Sequence, residues 1–152
     1  MHLIELLQDH REEIVDAAFH AMKRTHLKHY EEMGESKTYE RLHILHGLLV
    51  RCVAERNMGP MIAHAEAVGQ ERYTHGFDLY EVQTAYNVLE ESIWVRVLKD
   101  LEPLEMAQAL GLVSTVIGAG KDALARTFVS LASKSKAPSL NLHSLFAGTD
   151  GA

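Results

Sequence analysis

Apolar positions along the chain recur every three or four residues and almost nowhere alternate. Leu3, Leu7, His10, Ile14, Ala18 and Met22 form one stripe, with Glu5, Arg11, Glu12 and Asp16 on other faces, so residues 2–24 are predicted to be an amphipathic helix. Lys23 and Arg24 favour its negative end, and the polar stretch EEMGESK at 31–37 is where the chain should turn. A second helix is predicted from Tyr39 to Arg56 on the stripe Leu42, Leu45, Leu49 and Val53, broken by Asn57, Gly59 and Pro60. Pro60 suits the first turn of a third helix, continued by Ile62, Ala65, Val68 and Tyr73 and closed by Gly76 in a left-handed cap.

The strongest local signal is GFDLYEV at 76–82. Asp78 can cap a helix while Glu81, three residues on, reaches back to the cap backbone. Leu79, Val82, Tyr86, Leu89, Ile93 and Val97 then mark a helix to Leu101, the expected spine of the fold. Pro103 restarts the chain as a last helix over 104–134, with a possible break between Gly118 and Gly120. In that helix Ala107, Gly111, Thr115, Ala119 and Ala123 recur every fourth residue. A ridge with so little side-chain height lets another backbone approach closely, either inside the bundle or across a dimer seam.

The expected fold is therefore all-α: a four- to five-helix bundle over 1–136 with an extended C-terminal tail over 137–152. The tail carries Leu140, Leu142, Leu145 and Phe146, apolar enough to dock in a groove of its own bundle or of a neighbour. At 152 residues one domain suffices. With 15 Lys and Arg against 21 Asp and Glu, the net charge of −6 argues against nucleic acid or an anionic membrane as partner. No apolar run approaches a membrane span, and one cysteine, Cys52, rules out an intrachain disulfide and fits a reducing, cytoplasmic setting.

Ten histidines invite a metal or haem reading, but only Glu40-x-x-His43 supplies half of a di-iron motif, so no metal ligand set and no cofactor are assigned. His43-Ile-Leu-His46-Gly47 is similar to the His-x-Leu-Lys-Gly pattern of histidine phosphotransfer domains, which makes His43 an alternative phosphoacceptor; His46, however, stands where a lysine should steady the phosphoryl group. If every histidine were protonated the net charge would move from −6 to −6 + 10 = +4, so association could respond to mild acid. GAGKD at 118–122 fails as a phosphate loop, with Asp122 in place of Ser or Thr and Thr115 in place of the first glycine. Cys52 lies in apolar helix and reads as an inert thiol. No catalytic residue is assigned.

Two stretches resemble a known family: LIELLQDHREEIVDAAFHAM near the start, and GFDLYEVQTAYNVLEESIWVRVL with its Gly-aromatic-x-Leu-x-x-Val entry into a long helix. Over roughly residues 3–134 the chain resembles the N-terminal domain of RsbR-type co-antagonist proteins, which also precedes bacterial histidine kinases. The resemblance implies a bacterial, all-α sensory or regulatory domain without enzymatic activity that forms a homodimer and acts on a signalling partner. It carries over no ligand-binding residues. The 18 residues after Lys134 are too few for an output domain, so an excised domain or a stand-alone member is expected.

Overall fold

The computed structural model describes residues 2–140, with side chains described as far as Lys134. Seven helices and no strand occur among the described residues: α1 (Leu3–Asp9), α2 (Arg11–Thr25), α3 (Lys28–Met33), α4 (Glu35–Glu55), α5 (Gly59–Thr74), α6 (Leu79–Asp100) and α7 (Pro103–Leu140). The helical bundle matches the expectation; the helix number does not. The first predicted helix divides at His10, whose backbone leaves helical values at φ −109° and ψ 22°. Neither proline nor glycine stands there. Instead its ring is held against α6 by Arg96 Nη2 at 3.0 Å and Asp100 Oδ2 at 3.4 Å. The polar turn shrinks to Gly34, whose φ of 98° needs glycine, and the residues on either side join short α3 and an earlier start of α4.

The apolar stripes go where periodicity sends them. Leu3, Leu7, Ile14, Ala18 and Met22, then Leu42, Leu45, Leu49 and Val53, then Val82, Tyr86, Leu89, Ile93 and Val97 are all buried. α6 runs through the middle, with α2 on one side and α7 on the other, while α5 lies along α7. At the close of α5, Gly76 takes φ +83°; Gly76 N–H donates to the Tyr73 carbonyl and Phe77 N–H to the Arg72 carbonyl, so the last turn's carbonyls are satisfied.

The helix α7 does not break at its glycines. Gly120 is buried because nothing larger fits: a Cβ there would lie 2.7 Å from Tyr86 Cε2 and 3.1 Å from Met61 Cγ. Gly69 of α5 faces Thr127 Cγ2 of α7 equally tightly, at 3.0 Å. These two glycines set the closeness of α5, α6 and α7. Gly118 has no such neighbour. Gly120→Ala is therefore expected to destabilise the fold by about 1–3 kcal/mol through overpacking. Gly118→Ala should instead stabilise it by about 0.4–1 kcal/mol through the unfolded chain. Urea unfolding of the two variants checks the opposite signs.

Candidate functional site

The four-residue ladder on α7 is not one straight ridge. A helix turns about 100° per residue, so each step of four drifts by about 40°. The drift is visible in burial: Ala107, Gly111 and Thr115 are exposed, Ala119 is half-buried and Ala123 is buried. Its last residue packs inside the bundle; its first three look outward. An added Cβ at Gly111 would meet no heavy atom within 4 Å.

Beside that open stretch lies α6. Lys121 Nζ donates to Asn87 Oδ1 at 2.9 Å, which fixes the register of the antiparallel pair. Trp94 and Leu98 lie within about 20° of Asn87 around α6, and both are exposed, at 38% and 58%. Leu104, at 95% exposure, sits at the start of α7 on the same flank as Gly111 and Gly118. Tall and flat positions thus alternate on one outer surface. Leu140 ends the α7 backbone and its side chain is not described; Leu142, Leu145 and Phe146, the remaining tail positions, lie outside the described residues.

The alternative phosphoacceptor has the wrong company. His43 is part-buried, its ring stacked edge-on against Tyr39 at 4.8 Å, with Glu12 Oε2 3.6 Å from Nε2. That carboxylate would repel a phosphoryl group. Tyr39 donates to Glu12 at 3.0 Å and to Asp16 at 2.9 Å, and the Asp16 hydrogen bond together with burial and Glu12 pushes the phenol up to about 12. Gly47 opens no approach either, since Arg11 Nη2 would lie 3.4 Å from an added Cβ. His46 is fully buried and accepts from Arg11 Nε at 3.5 Å. Burial, helped by the charges of Arg11 and His43, pushes its pKa down to about 4, so it supplies no cation at neutral pH. Cys52 is buried, and burial raises its thiol pKa.

The histidines disperse rather than converge. His2 pairs with Glu105 at 2.9 Å, His10 with Asp100 at 3.4 Å and His29 with Glu81 at 2.7 Å. Glu40 is exposed. Among the described residues no three His, Cys, Asp or Glu side chains come together as a metal-binding group.

The GFDLYEV entry is more than a helix cap. Glu81, buried at 5% exposure, accepts the Asp78 N–H at 3.0 Å as its sequence position predicts, and in addition the His29 backbone N–H at 3.0 Å and the His29 ring at 2.7 Å. Burial works against its charge, but these bonds win and its pKa is lowered. Next to it Phe77 stacks edge-on with Tyr30 at 5.2 Å and carries the Arg72 guanidinium 5.2 Å from its ring centre. Sequence gave no warning of Arg72, only 2% exposed within α5. Its Nη1 donates to Glu71 at 2.7 Å, while its Nε and the Tyr86 hydroxyl, both buried, have no partner among the described residues. Each such orphan costs about 1–3 kcal/mol.

The sequence profile of the RsbT co-antagonist protein RsbRD N-terminal domain matches residues 12–132. The chain belongs to this family. An RsbRD N-terminal domain is a regulatory stress-signalling module, as the opening and GFDLYEV stretches imply. The match leaves out α1 and the last residues of α7. Comparison with curated proteins and with solved structures finds no match. No helix among the described residues of this RsbRD-type domain is long and apolar enough to cross a membrane.

The polar joints predict a pH dependence. Between pH 6.5 and about 4 the unfolded chain holds a proton on the His46 imidazole that the folded chain refuses. The unfolded state binds more protons there, so stability falls as pH falls, by up to about 3 kcal/mol across the window. Glu81, with its lowered pKa, adds stability above the ordinary carboxylate range that is lost on further acidification. Urea unfolding from pH 8 to 4 should show the decline, and His46→Leu should make it shallower above pH 5 while leaving the share of His64 and the lower limb.

Proposed function

We propose that this domain is a non-catalytic, cytoplasmic signal-input module that pairs with a second copy of itself through the outer face of α6 and α7, and that signals pass as shifts in helix packing at that contact. The exposed stretch Ala107, Gly111 and Thr115 beside Trp94, Leu98 and Leu104 carries the reading. A patch of large apolar side chains in water is unusual for a protein that stays alone. The occupant argued for is another copy because a two-fold contact is isologous: one surface must supply both knob and hole. This one does, with Trp94 and Leu98 as height and Gly111 and Ala107 as hollow. Ala119 and Ala123, the inward end of the ladder, then belong to the packing within each subunit.

Where small side chains form a contact, a slide or rotation meets less steric resistance than interlocked leucines offer, so a modest partner energy can move the pair between arrangements. Membership of a co-antagonist family supports the reading that such a change acts on a signalling partner. Phosphotransfer through His43 gains nothing from its surroundings, given the carboxylate beside it and the neutral His46.

Sedimentation velocity over a concentration series should give a dimer mass for the native chain and a monomer mass for the Gly111→Leu, Thr115→Leu double variant. Trp94 is the single tryptophan, so its emission should shift to the blue as the native chain associates. A monomer at every concentration, with unmoved Trp94 emission, removes the self-association reading and leaves the face to a different protein.

A further inference from the structure

A second feature lies in the middle of the bundle, away from the α6–α7 face. Helices α2 to α6 line a small, partly open cavity of about 30 Å³. That is room for roughly two waters, and so for an ion of formate or acetate size but little more. Its wall is mostly apolar, from Met22, Leu42, Leu45, Val68 and Val82. The polar groups in it are cationic or neutral donors: Arg41, Arg72, His64, Tyr30, Thr38 and Tyr86.

Two observations point from this cavity to a ligand. First, Arg72 Nε and the Tyr86 hydroxyl are both buried and both without a partner among the described residues, and the two residues line this one space. A core seldom leaves two donors idle around one void unless something accepts from them. Second, the nearby carboxylates are engaged by other donors. Arg41 Nη2 at 3.0 Å and Arg72 Nη1 at 2.7 Å converge on the same oxygen of Glu71, so two guanidinium charges face one carboxylate. Glu81, whose charge also reaches Tyr30, has its oxygens taken by His29 and Asp78. Thr38 is occupied too, donating to the Gly34 carbonyl at 2.9 Å.

We propose that this cavity binds a small monocarboxylate of acetate size, its oxygens accepting from Arg72 Nε and the Tyr86 hydroxyl and its alkyl group lying against Met22, Leu42 and Val82. A planar carboxylate suits a guanidinium edge, and the apolar wall suits the rest of the molecule. An open groove of about 230 Å³ among α2, α3 and α4 borders the cavity and shares Met22, Tyr30 and Thr38 with it, which gives the route in. Occupancy would touch α2 through α6 at once. The site does not depend on self-association, and binding is read directly.

The test uses the full chain labelled for NMR, following the Arg72 Nε–Hε resonance during titration with sodium acetate, sodium chloride and acetamide at constant ionic strength. Acetate should shift it saturably with a millimolar dissociation constant, while chloride and acetamide should do so at least tenfold more weakly. Tyr86→Phe keeps the ring against Gly120 and removes only the hydroxyl, so it should fold at least as stably without acetate yet bind it roughly tenfold more weakly, the equivalent of one lost hydrogen bond. Arg41→Gln, at a part-exposed position, should also weaken binding. No response to acetate at tens of millimolar, equal responses to chloride or acetamide, or unchanged affinity in both variants would overturn the proposal.

Discussion

Glu81 is the joint on which the arrangement turns. Its carboxylate is buried, and a buried charge survives only with donors around it. Three are provided, one from its own helix start and two from His29, 52 residues earlier. The bond to Asp78 fixes where α6 begins; the bonds to His29 pin α3 over that start. Phe77, stacked between Tyr30 and Arg72, fills the space beneath. Once the start of α6 is fixed, Tyr86 and Asn87 fall at set heights along it. Tyr86 meets Gly120 and Asn87 meets Lys121, so α7 has one register against α6.

That register decides which face of α7 is left over. At Gly120 of α7 and Gly69 of α5, side chains of the neighbouring helices occupy the space on the inner side, where even one methyl would collide. Gly111 and Gly118 lie on the other side, where a methyl would meet nothing. The three glycines thus have two different causes within one helix. At Gly120 the helix-propensity cost is offset by packing inside the subunit. At Gly111 and Gly118 no offset exists among the described residues, which is why the outer face, rather than the whole ladder, carries the association reading.

The period of the apolar residues made most of the fold legible before any coordinates. Leu42, Leu45, Leu49 and Val53, or Leu89, Ile93 and Val97, must face a core because a helix repeats every 3.6 residues. The Asp78 and Glu81 spacing located the start of α6, and Pro60 and Pro103 opened their helices. What stayed hidden depends on neighbours distant in sequence. The division at His10 follows from Arg96 and Asp100 on α6, and short α3 from the grip of Glu81 on His29. The ladder divides between the two readings open to it for a local reason: a repeat of four overshoots the helical turn, so it winds from solvent into the core by Ala123. Arg72 reads in sequence as a surface residue, and only Phe77, Glu71 and the central cavity explain its burial.

The histidine load becomes intelligible on the same terms. Four histidines pair with carboxylates distant in sequence, His2 with Glu105, His10 with Asp100, His29 with Glu81 and His43 with Glu12, so each of these links two elements instead of joining a common centre. His46 and His64 are different: burial, with arginines nearby, lowers the pKa of both and keeps the rings uncharged. Acid therefore attacks the molecule at two levels, forcing charge onto buried imidazoles and removing it from Glu81. Because Glu81 positions α6, and α6 positions α7, loss of that one carboxylate would propagate to the α6–α7 surface without any group on that surface titrating. On the proposed reading, a regulatory domain built from packed helices would gain its sensitivity in this way, from a few buried polar joints whose state sets the geometry of an apolar face elsewhere.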